Sequence, residues 1–543
     1  MERADNGGAP KSRGTGVRRT VDVDGGQVRG IFDDDVWTFA GVPYAQAPLA
    51  ALRWRPPERP SPWRGVRNAE TQGPIAPQIP AAAGMGIPGD PSQQSEDCLH
   101  LTVRTPALDR RRRPVMVWIH GGGFTSGTSG SVLYDGSDVV RRHDVVLVAV
   151  NYRLGALGFL AHPSLRARPG APFANWGLLD QIAALRWVRD HVGAFGGDPS
   201  NVTVFGESAG AMSICALLAM PEARGLFHRA IVQSGPPYVF TAARAVEVAE
   251  DVGRGLSIRT MDRGALEAVP AAALVEVVAE MQRRPPRPGE LPLPLLPTVD
   301  GVSLPRHPLS AVAAGDGARV PMIVGTNRDE LAFFALMEPK PPQWDETHLL
   351  ARLRRSAPAA RAEDIAAAYR RARARRGEPV TARRLWTAAG SDLVFRWPSL
   401  RLANAHALRQ PSTFVYLFTW ETPFLGGTLG ACHALEIPFV FGTVRHPLIG
   451  AFSGAGPAAE ALSQTMQAAW VSLARHGDPS ADGVPWPAWE PSRRLTMVWG
   501  PRSGVEEAPL NEELGAWADV LPLEVESSPT GVAGAVEERR ALG

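Results

Sequence analysis

Lysine is almost missing from this chain: it stands only at positions 11 and 340, and the remaining basic charge is arginine. That bias, together with abundant alanine, glycine and proline, points to a GC-rich bacterial genome and not to any particular chemistry. Cysteine is nearly as scarce, with Cys98, Cys215 and Cys432 alone. Three widely spaced thiols exclude a disulfide framework, and none has the neighbour spacing of a metal ligand. Charge of one sign is also lacking: the net value is +2 over 543 residues, which removes the electrostatic argument for nucleic acid or an anionic surface. No apolar run reaches the length of a membrane span, and the opening MERADNGGAPKSRGTGVRRT has no apolar stretch of the signal-peptide kind. The expectation is a bacterial protein in a reduced, cytoplasmic compartment, with no metal, organic cofactor, nucleic-acid or membrane partner.

What is present is an ordinary globular composition, 44% hydrophobic and 21% charged, long enough to bury a large core. Length alone would favour two or more domains, yet no linker or internal repeat divides the chain. The expected organisation is a disordered segment over 1–18, one domain over 19–520 and a loose acidic, Gly-rich tail over 521–543. Val21–Gly30 and Val36–Ala40 read as a β-meander, followed by a Pro-rich irregular stretch with an exposed loop at Ala81–Gln94. The Arg110–Arg113 run reads as a solvated loop. Pro114–His120, Val145–Val150, Val202–Phe205 and Ala230–Gln233 read as buried strands, and Leu178–Val192 as an amphipathic helix. Their alternation over 114–235 is the pattern of an α/β protein with a doubly wound parallel sheet. Pro321–Gly325 and Phe414–Thr419 add two strands. The Ala/Arg/Glu-rich stretches at about 240–290 and 345–410 read as helical insertions capping one end of the sheet.

Between the strand at Val202–Phe205 and a helical pattern starting at Ala209 lies Gly206-Glu207-Ser208-Ala209-Gly210, a G-x-S-x-G. A sharp strand-to-helix turn lifts the residue at its corner clear of the sheet and presents the hydroxyl of Ser208 to substrate. The Ala209 N–H then sits at a helix N-terminus, which favours an anion. The pentapeptide alone is weak evidence, so the case rests on what accompanies it.

A serine hydroxyl needs a base, and the base needs an acid to orient it; on such a sheet the chain order is Ser, then Asp or Glu, then His. Directly after the Pro321–Gly325 strand come Asp329 and Glu330, both chemically suitable, although paired carboxylates in a turn are ordinarily solvated. Downstream histidines are His348, His406, His433, His446 and His476. His348 and His406 lie in charged helical patterns and His476 at an exposed helix end. His433 lies in a flexible glycine-rich loop, Gly426–His433, after the Phe414–Thr419 strand, where it is placed to swing towards Ser208. His120-Gly121-Gly122-Gly123-Phe124, following another strand, lacks the Gly-Lys-Ser/Thr ending of a phosphate loop and reads as an oxyanion hole.

As a set these residues resemble the type B carboxylesterase/cholinesterase family of α/β-hydrolases, in its bacterial para-nitrobenzyl esterase-like branch. The resemblance is carried, in order, by Phe39–Ala45, Ser95–Leu99, His120–Phe124, Asn151–Gly155, Gly206–Gly210, Gly325–Glu330 and His433–Gly442. It implies the α/β-hydrolase fold: a large, mostly parallel central sheet flanked by helices, with helical insertions over the active site. It implies Ser208 as nucleophile, Glu330 rather than Asp329 as the acid and His433 as base. The implied oxyanion donors are the Gly122, Gly123 and Ala209 amides, with Glu207 steering protonation or the deacylation water beside the nucleophile and Ser234 a buried supporting hydroxyl. It further implies structural ion pairs Arg53–Glu96 and Arg153–Asp180. Ala76 stands where many secreted relatives place the partner of the Cys98 position, which leaves Cys98 unpaired.

The function implied is hydrolysis of carboxylic esters, apolar or aryl, through an acyl-enzyme, by a monomer or weak homo-oligomer acting on a small molecule. An amidase or carbamate hydrolase uses the same three residues, and an inactive cholinesterase-like binding module is the reading from a different class. Aromatic candidates for the substrate pocket are Phe124, Tyr238, Phe333, Phe334, Trp420 and Phe424.

Overall fold

Runs that are apolar at every position need cover on both faces once they form strands. The computed structural model of the protein, which describes residues 16–79, 93–284, 293–336, 344–481, 483–518 and 520, supplies it. Val115, Val117 and Ile119 pack into one core cluster while Met116 and Trp118, pointing the other way, enter a second; Val146, Val148 and Val150 divide from Leu147 and Ala149 in the same manner. The period-2 alternation of side chains along a strand separates the two cores.

The strands are β1 (Val17–Val23), β2 (Gly26–Asp33), β3 (Val36–Pro43), β4 (Val66–Asn68), β5 (His100–Thr105), β6 (Arg113–Ile119), β7 (Val146–Val150), β8 (Gly197–Glu207), β9 (Arg229–Gln233), β10 (Met322–Asn327), β11 (Thr413–Phe418), β12 (Leu495–Trp499) and β13 (Gly504–Glu507). They form one sheet in the order β1-β2-β3-β5-β7-β6-β8-β9-β10-β11-β12-β13, with β4 beside β2. From β7 to β12 the neighbours run parallel; β1–β2–β3–β5–β7 and the β12–β13 edge are antiparallel. This is the α/β-hydrolase architecture, with helices on both faces.

Register decides where the chemistry sits. Ile119 pairs with Gly206, Glu207 with Gln233, and Gln233 with Gly325. The carboxyl ends of β6, β8, β9 and β10 therefore finish side by side, and the segments that follow, His120–Phe124, Ser208, Ser234 and Arg328–Glu330, leave the sheet at one edge. Ligands of open parallel sheets bind at that edge.

Several expectations change. β1 begins at Val17, so Val17 and Arg18 belong to the sheet, and residues 1–15 lie outside the described residues, as do 81–92 of the exposed loop and the 521–543 tail. The Arg110–Arg113 run is not wholly solvated: Arg113 is 4% exposed, opens β6 and bonds Asp109 and Asp144, and Arg112 bonds Asp198. Burial of Arg113 is satisfied by two carboxylates supplied from flanking loops. His406 lies in the helix Trp397–Ala407, yet it is buried against Thr413. The insertions are helical, comprising Ala242–Gly255, Arg263–Glu267 and Ala271–Arg283 in the first and Glu346–Ser356, Ala362–Arg375, Ala382–Ser391 and Trp397–Ala407 in the second.

Both expected ion pairs are present. Arg153 donates from Nε and Nη2 to the two oxygens of Asp180 at 2.8 and 2.7 Å, and Arg53 is bidentate on Glu96. Asp180 is 0% exposed. Asp180→Ala strands a buried guanidinium and is expected to lower unfolding free energy by about 3–5 kcal/mol, read as a reduced urea midpoint at unchanged slope.

Candidate active site

Ser208 stands at the corner between β8 and the helix Ala209–Ala219 with φ 55° and ψ −123°. That backbone strain is held from both sides: the Ser208 amide donates to Gln233 O at 2.9 Å, and Met212 N donates to Ser208 O at 2.8 Å. The flanking glycines are dictated by contact. A Cβ would lie 2.6 Å from the Ile119 carbonyl at Gly206 and 2.0 Å from it at Gly210. Only glycine lets the elbow pass that close to β6.

Opposite the elbow, Gly122, Gly123 and Phe124 have φ of 104°, 61° and 62° in succession, a run of positive φ that curls the main chain into a turn. Ser126 N closes it by donating to Gly122 O at 3.0 Å. A Cβ at Gly121 would lie 3.1 Å from Ser208 Cβ, so the glycine run abuts the elbow. Among the described residues the Gly122 and Gly123 amides donate to no other group, and Ala209, first in its helix, has an amide that precedes any intrahelical acceptor. His120 is buried, stacked on Tyr152 at 4.5 Å, and burial lowers its pKa to about 4. It is a neutral strut under the loop.

Glu330 follows β10 and is 0% exposed. Its Oε1 accepts from Asn327 N at 2.7 Å and its Oε2 lies 2.6 Å from His433 Nδ1. The other ring nitrogen, Nε2, is 3.1 Å from Glu207 Oε1, at ion-pair distance but without hydrogen-bond alignment, since Glu207 Oε1 is a buried oxygen with no donor. Among the described residues the half-buried Ser208 hydroxyl has no hydrogen bond. The structure thus brings Glu330, His433, Glu207 and the elbow together, and His433 faces Glu207, the residue next to Ser208.

The charges explain one another. Burial pushes the Glu207 carboxyl up, against the pull of His433. Burial works against the charged form of His433, but Glu207 and Glu330 on either side outweigh it and raise the ring above its ordinary value. A third carboxylate, Glu436, is buried behind them; desolvation and the neighbouring Glu330 charge push it up, while Asn327 Nδ2 and Gln233 Nε2 donate to it at 2.7 and 3.1 Å. Sequence reasoning passed over Glu436, Asn327 and Gln233; the first two are signalled only by their position within motif stretches, and Gln233 only as the end of the strand read at Ala230–Gln233.

Ser234 is fully buried with φ 52°; its amide donates to Gly325 O at 2.8 Å and its hydroxyl is without a partner among the described residues. Of the aromatic candidates, Phe333 and Phe334 reach the His433 ring at 6.3 and 5.0 Å. Phe124 instead packs into the core on Phe159, Tyr238 donates to Val394 O, Trp420 donates to Ser453 O, and Phe424 lies partly exposed against Phe452. Phe395, which went unnamed, lies 5.1 Å from His433. It sits in the π-helical turn Asp392–Arg396, a local insertion that residue periodicity does not reveal. Asp329 and Glu330 are both buried, not solvated.

Cys98, Cys215 and Cys432 are free and buried. Among the described residues no helix is long and apolar enough to cross a membrane, and no group of three or more His, Cys, Asp or Glu is arranged to hold a metal ion.

The sequence profile described as "Carboxylesterase family" matches residues 17–517. The chain is 37% identical to the para-nitrobenzyl esterase of Bacillus subtilis (strain 168) over 90% of its own length and 96% of that protein, and 36% identical to the phenmedipham hydrolase of Pseudarthrobacter oxydans over 88% and 94%. Among solved structures, a PNB esterase superposes with TM-score 0.80 at 35% identity, and a Geobacillus stearothermophilus carboxylesterase with TM-score 0.80 at 37% identity. Each of these alignments covers 92% of this chain and 99% of the other.

Proposed function

The chain belongs to the carboxylesterase family and is a carboxylic ester hydrolase, and from that premise we propose a serine esterase with Ser208 as nucleophile, His433 as general base and Glu330 as the acid that orients it. The observation that carries the assignment is the 2.6 Å contact between Glu330 Oε2 and His433 Nδ1, beside an elbow whose hydroxyl has no hydrogen bond among the described residues. Glu330 fixes the tautomer in which Nδ1 carries a proton and Nε2 accepts one, and it stabilises the imidazolium that forms.

Ser208 Oγ attacks the ester carbonyl carbon while its proton passes to His433 Nε2. The carbonyl oxygen becomes an oxyanion, received by the Gly122, Gly123 and Ala209 amides. Collapse breaks the bond to the alcohol oxygen, which takes the proton from Nε2 and departs. Water then attacks the acyl-enzyme, giving its proton to His433, and the second collapse returns that proton to Ser208 and releases the acid. Glu207 steers the imidazole, and Ser234, next to the Gly235 that packs on Ser208 O, supports the elbow. Phe333, Phe334 and Phe395 around His433 favour an apolar or aryl ester as the small-molecule substrate. Three free thiols favour a reducing, cytoplasmic location, and the working unit is proposed to be a monomer or weak homo-oligomer.

A fluorophosphonate probe is expected to label one serine, Ser208, located by mass spectrometry of the labelled peptide; a modification elsewhere, or none, refutes the assignment. The role of Glu207 has its own test. His433 must be neutral to take a proton, so activity falls below its pKa. Glu207→Gln removes a charge that favours the protonated ring, so the acid limb of the kcat/KM–pH profile is expected to move to lower pH, by about one unit or more. A limb that stays in place shows that Glu207 does not tune the base.

A further inference from the structure

Glu330 and His433 come from different strand ends, one after β10 and one after β11, and something must set the gap between them. A residue bonded to both segments is Asp329. It is 2% exposed, and its Oδ2 accepts three hydrogen bonds: from Ala431 N at 3.0 Å, from Arg328 Nε at 2.9 Å and from Arg328 Nη2 at 2.7 Å. Its own amide donates to Ala431 O at 2.9 Å. Ala431 is therefore gripped at both its N–H and its C=O by one residue, two positions before His433. The grip is anchored in turn. Arg328 N donates to Phe418 O at 2.9 Å at the end of β11, and Arg328 Nη2 also donates to Glu421 at 2.5 Å.

The glycine-rich loop, read from sequence as flexible, is accordingly pinned. Gly430 has φ 59°, and a Cβ there would lie 2.3 Å from Asp329 Oδ2. Its neighbour Ala431 reaches the carboxylate because residue 430 has no side chain. Thr422 N closes the loop from the other side by donating to Gly430 O at 3.0 Å. One further bond, from Asn327 Nδ2 to Cys432 O at 2.7 Å, joins the same two segments.

We propose that Asp329 is the positioning residue of the general base: its carboxylate fixes where the 430–433 loop stops, and so holds His433 Nδ1 at bonding distance from Glu330. This rests on the Ser208–His433–Glu330 reading. Asp329 touches neither substrate nor the reacting atoms, and it works by keeping the imidazole in the one place where a small displacement matters most. Its charge is matched by Arg328, so what acts on the loop is the acceptor geometry and not a field at the ring.

The test is steady-state kinetics on a p-nitrophenyl ester for Asp329→Ala, Asp329→Asn and Gly430→Ala, each with its thermal midpoint and its kcat/KM–pH profile. Asp329→Ala is expected to lower kcat by about 10–100-fold with KM within about threefold, and to move the acid limb to lower pH as the Glu330 contact loosens and the protonated ring loses support. Fluorophosphonate labelling of Ser208 is expected to slow in the same proportion. Asp329→Asn, which keeps an acceptor for Ala431 N, is expected to recover most of kcat and the limb. Gly430→Ala, which drives a methyl group into the carboxylate, is expected to reproduce Asp329→Ala. Parent kcat and an unmoved limb in Asp329→Ala overturn the proposal, whatever the thermal midpoint does, as does an Asn variant damaged as severely as the Ala variant. Should Asp329→Ala fail to fold, the Asn and Gly430 variants decide on the same readouts. If Ser208→Ala is inactive while Asp329→Ala matches the parent, this proposal alone fails; if Ser208→Ala stays active, the underlying assignment fails with it.

Discussion

Ser208→Ala is expected to lower kcat on p-nitrophenyl esters by about 10⁶-fold and to abolish fluorophosphonate labelling, with little change in thermal midpoint. The size follows from what is removed. On the proposed mechanism, loss of Oγ leaves no acyl-enzyme and no proton for His433 to take; what survives is the proposed oxyanion hole acting on a bound ester and water, worth about 10³–10⁴ over the uncatalysed rate. The fold is indifferent to the change because the elbow is held by main-chain bonds, Ser208 N to Gln233 O and Met212 N to Ser208 O, and by the contact that makes Gly206 and Gly210 obligatory. Alanine at φ 55° bears a strain similar to serine. A variant retaining a tenth of parent activity, with contaminating esterase excluded by the probe, removes Ser208 from the mechanism.

That elbow was readable from sequence because everything it needs is local: a β-rich run, two glycines around a serine, then a helix start, within about twenty residues. Glu330 and His433 were not readable in the same sense. Residue type and position after a strand left Asp329 and Glu330 equivalent, and only resemblance separated them. The structure gives the physical difference: Glu330 Oε2 faces His433, whereas Asp329 Oδ2 faces the Ala431 amide. Beside its local donors, each carboxylate has a partner about 100 residues downstream, Ala431 N for Asp329 and His433 Nδ1 for Glu330, and no composition rule for turns contains such a partner. The same limit hid Phe395, brought to His433 by a π-turn inside an otherwise helical insertion, and Glu436, one turn beyond His433. Strands β6 and β7 were legible for the opposite reason, since a run apolar at every position has few ways to be satisfied other than a sheet covered on both faces. β5 was missed because attention stopped at the motif stretch Ser95–Leu99 directly before it, and of the helix Pro457–His476 only the end, at His476, was read.

The second large effect separates the role of Glu330 from mere occupancy of its site. Glu330→Gln keeps size and an acceptor for Asn327 N, so the amide oxygen takes the place of Oε1 and the NH₂ group is turned towards His433 Nδ1. Nδ1 must then accept, and the ring proton moves to Nε2, where it blocks removal of the Ser208 proton. The expected loss in kcat is about 10⁴-fold, with KM little altered because no substrate contact changes. Stability is expected to move in the opposite sense. Three carboxyl groups, Glu207, Glu330 and Glu436, crowd one buried region, and the Glu330 charge is among the causes that push both of the others up. Removing it eases that repulsion, so the thermal midpoint of Glu330→Gln is expected to equal or exceed that of the parent. An enzyme slowed ten-thousandfold and yet no less stable is the signature of a side chain retained for chemistry against the preference of the fold. If the Gln variant instead loses stability and activity together, Glu330 is scaffold, and the acid that orients His433 has to be sought in Glu207.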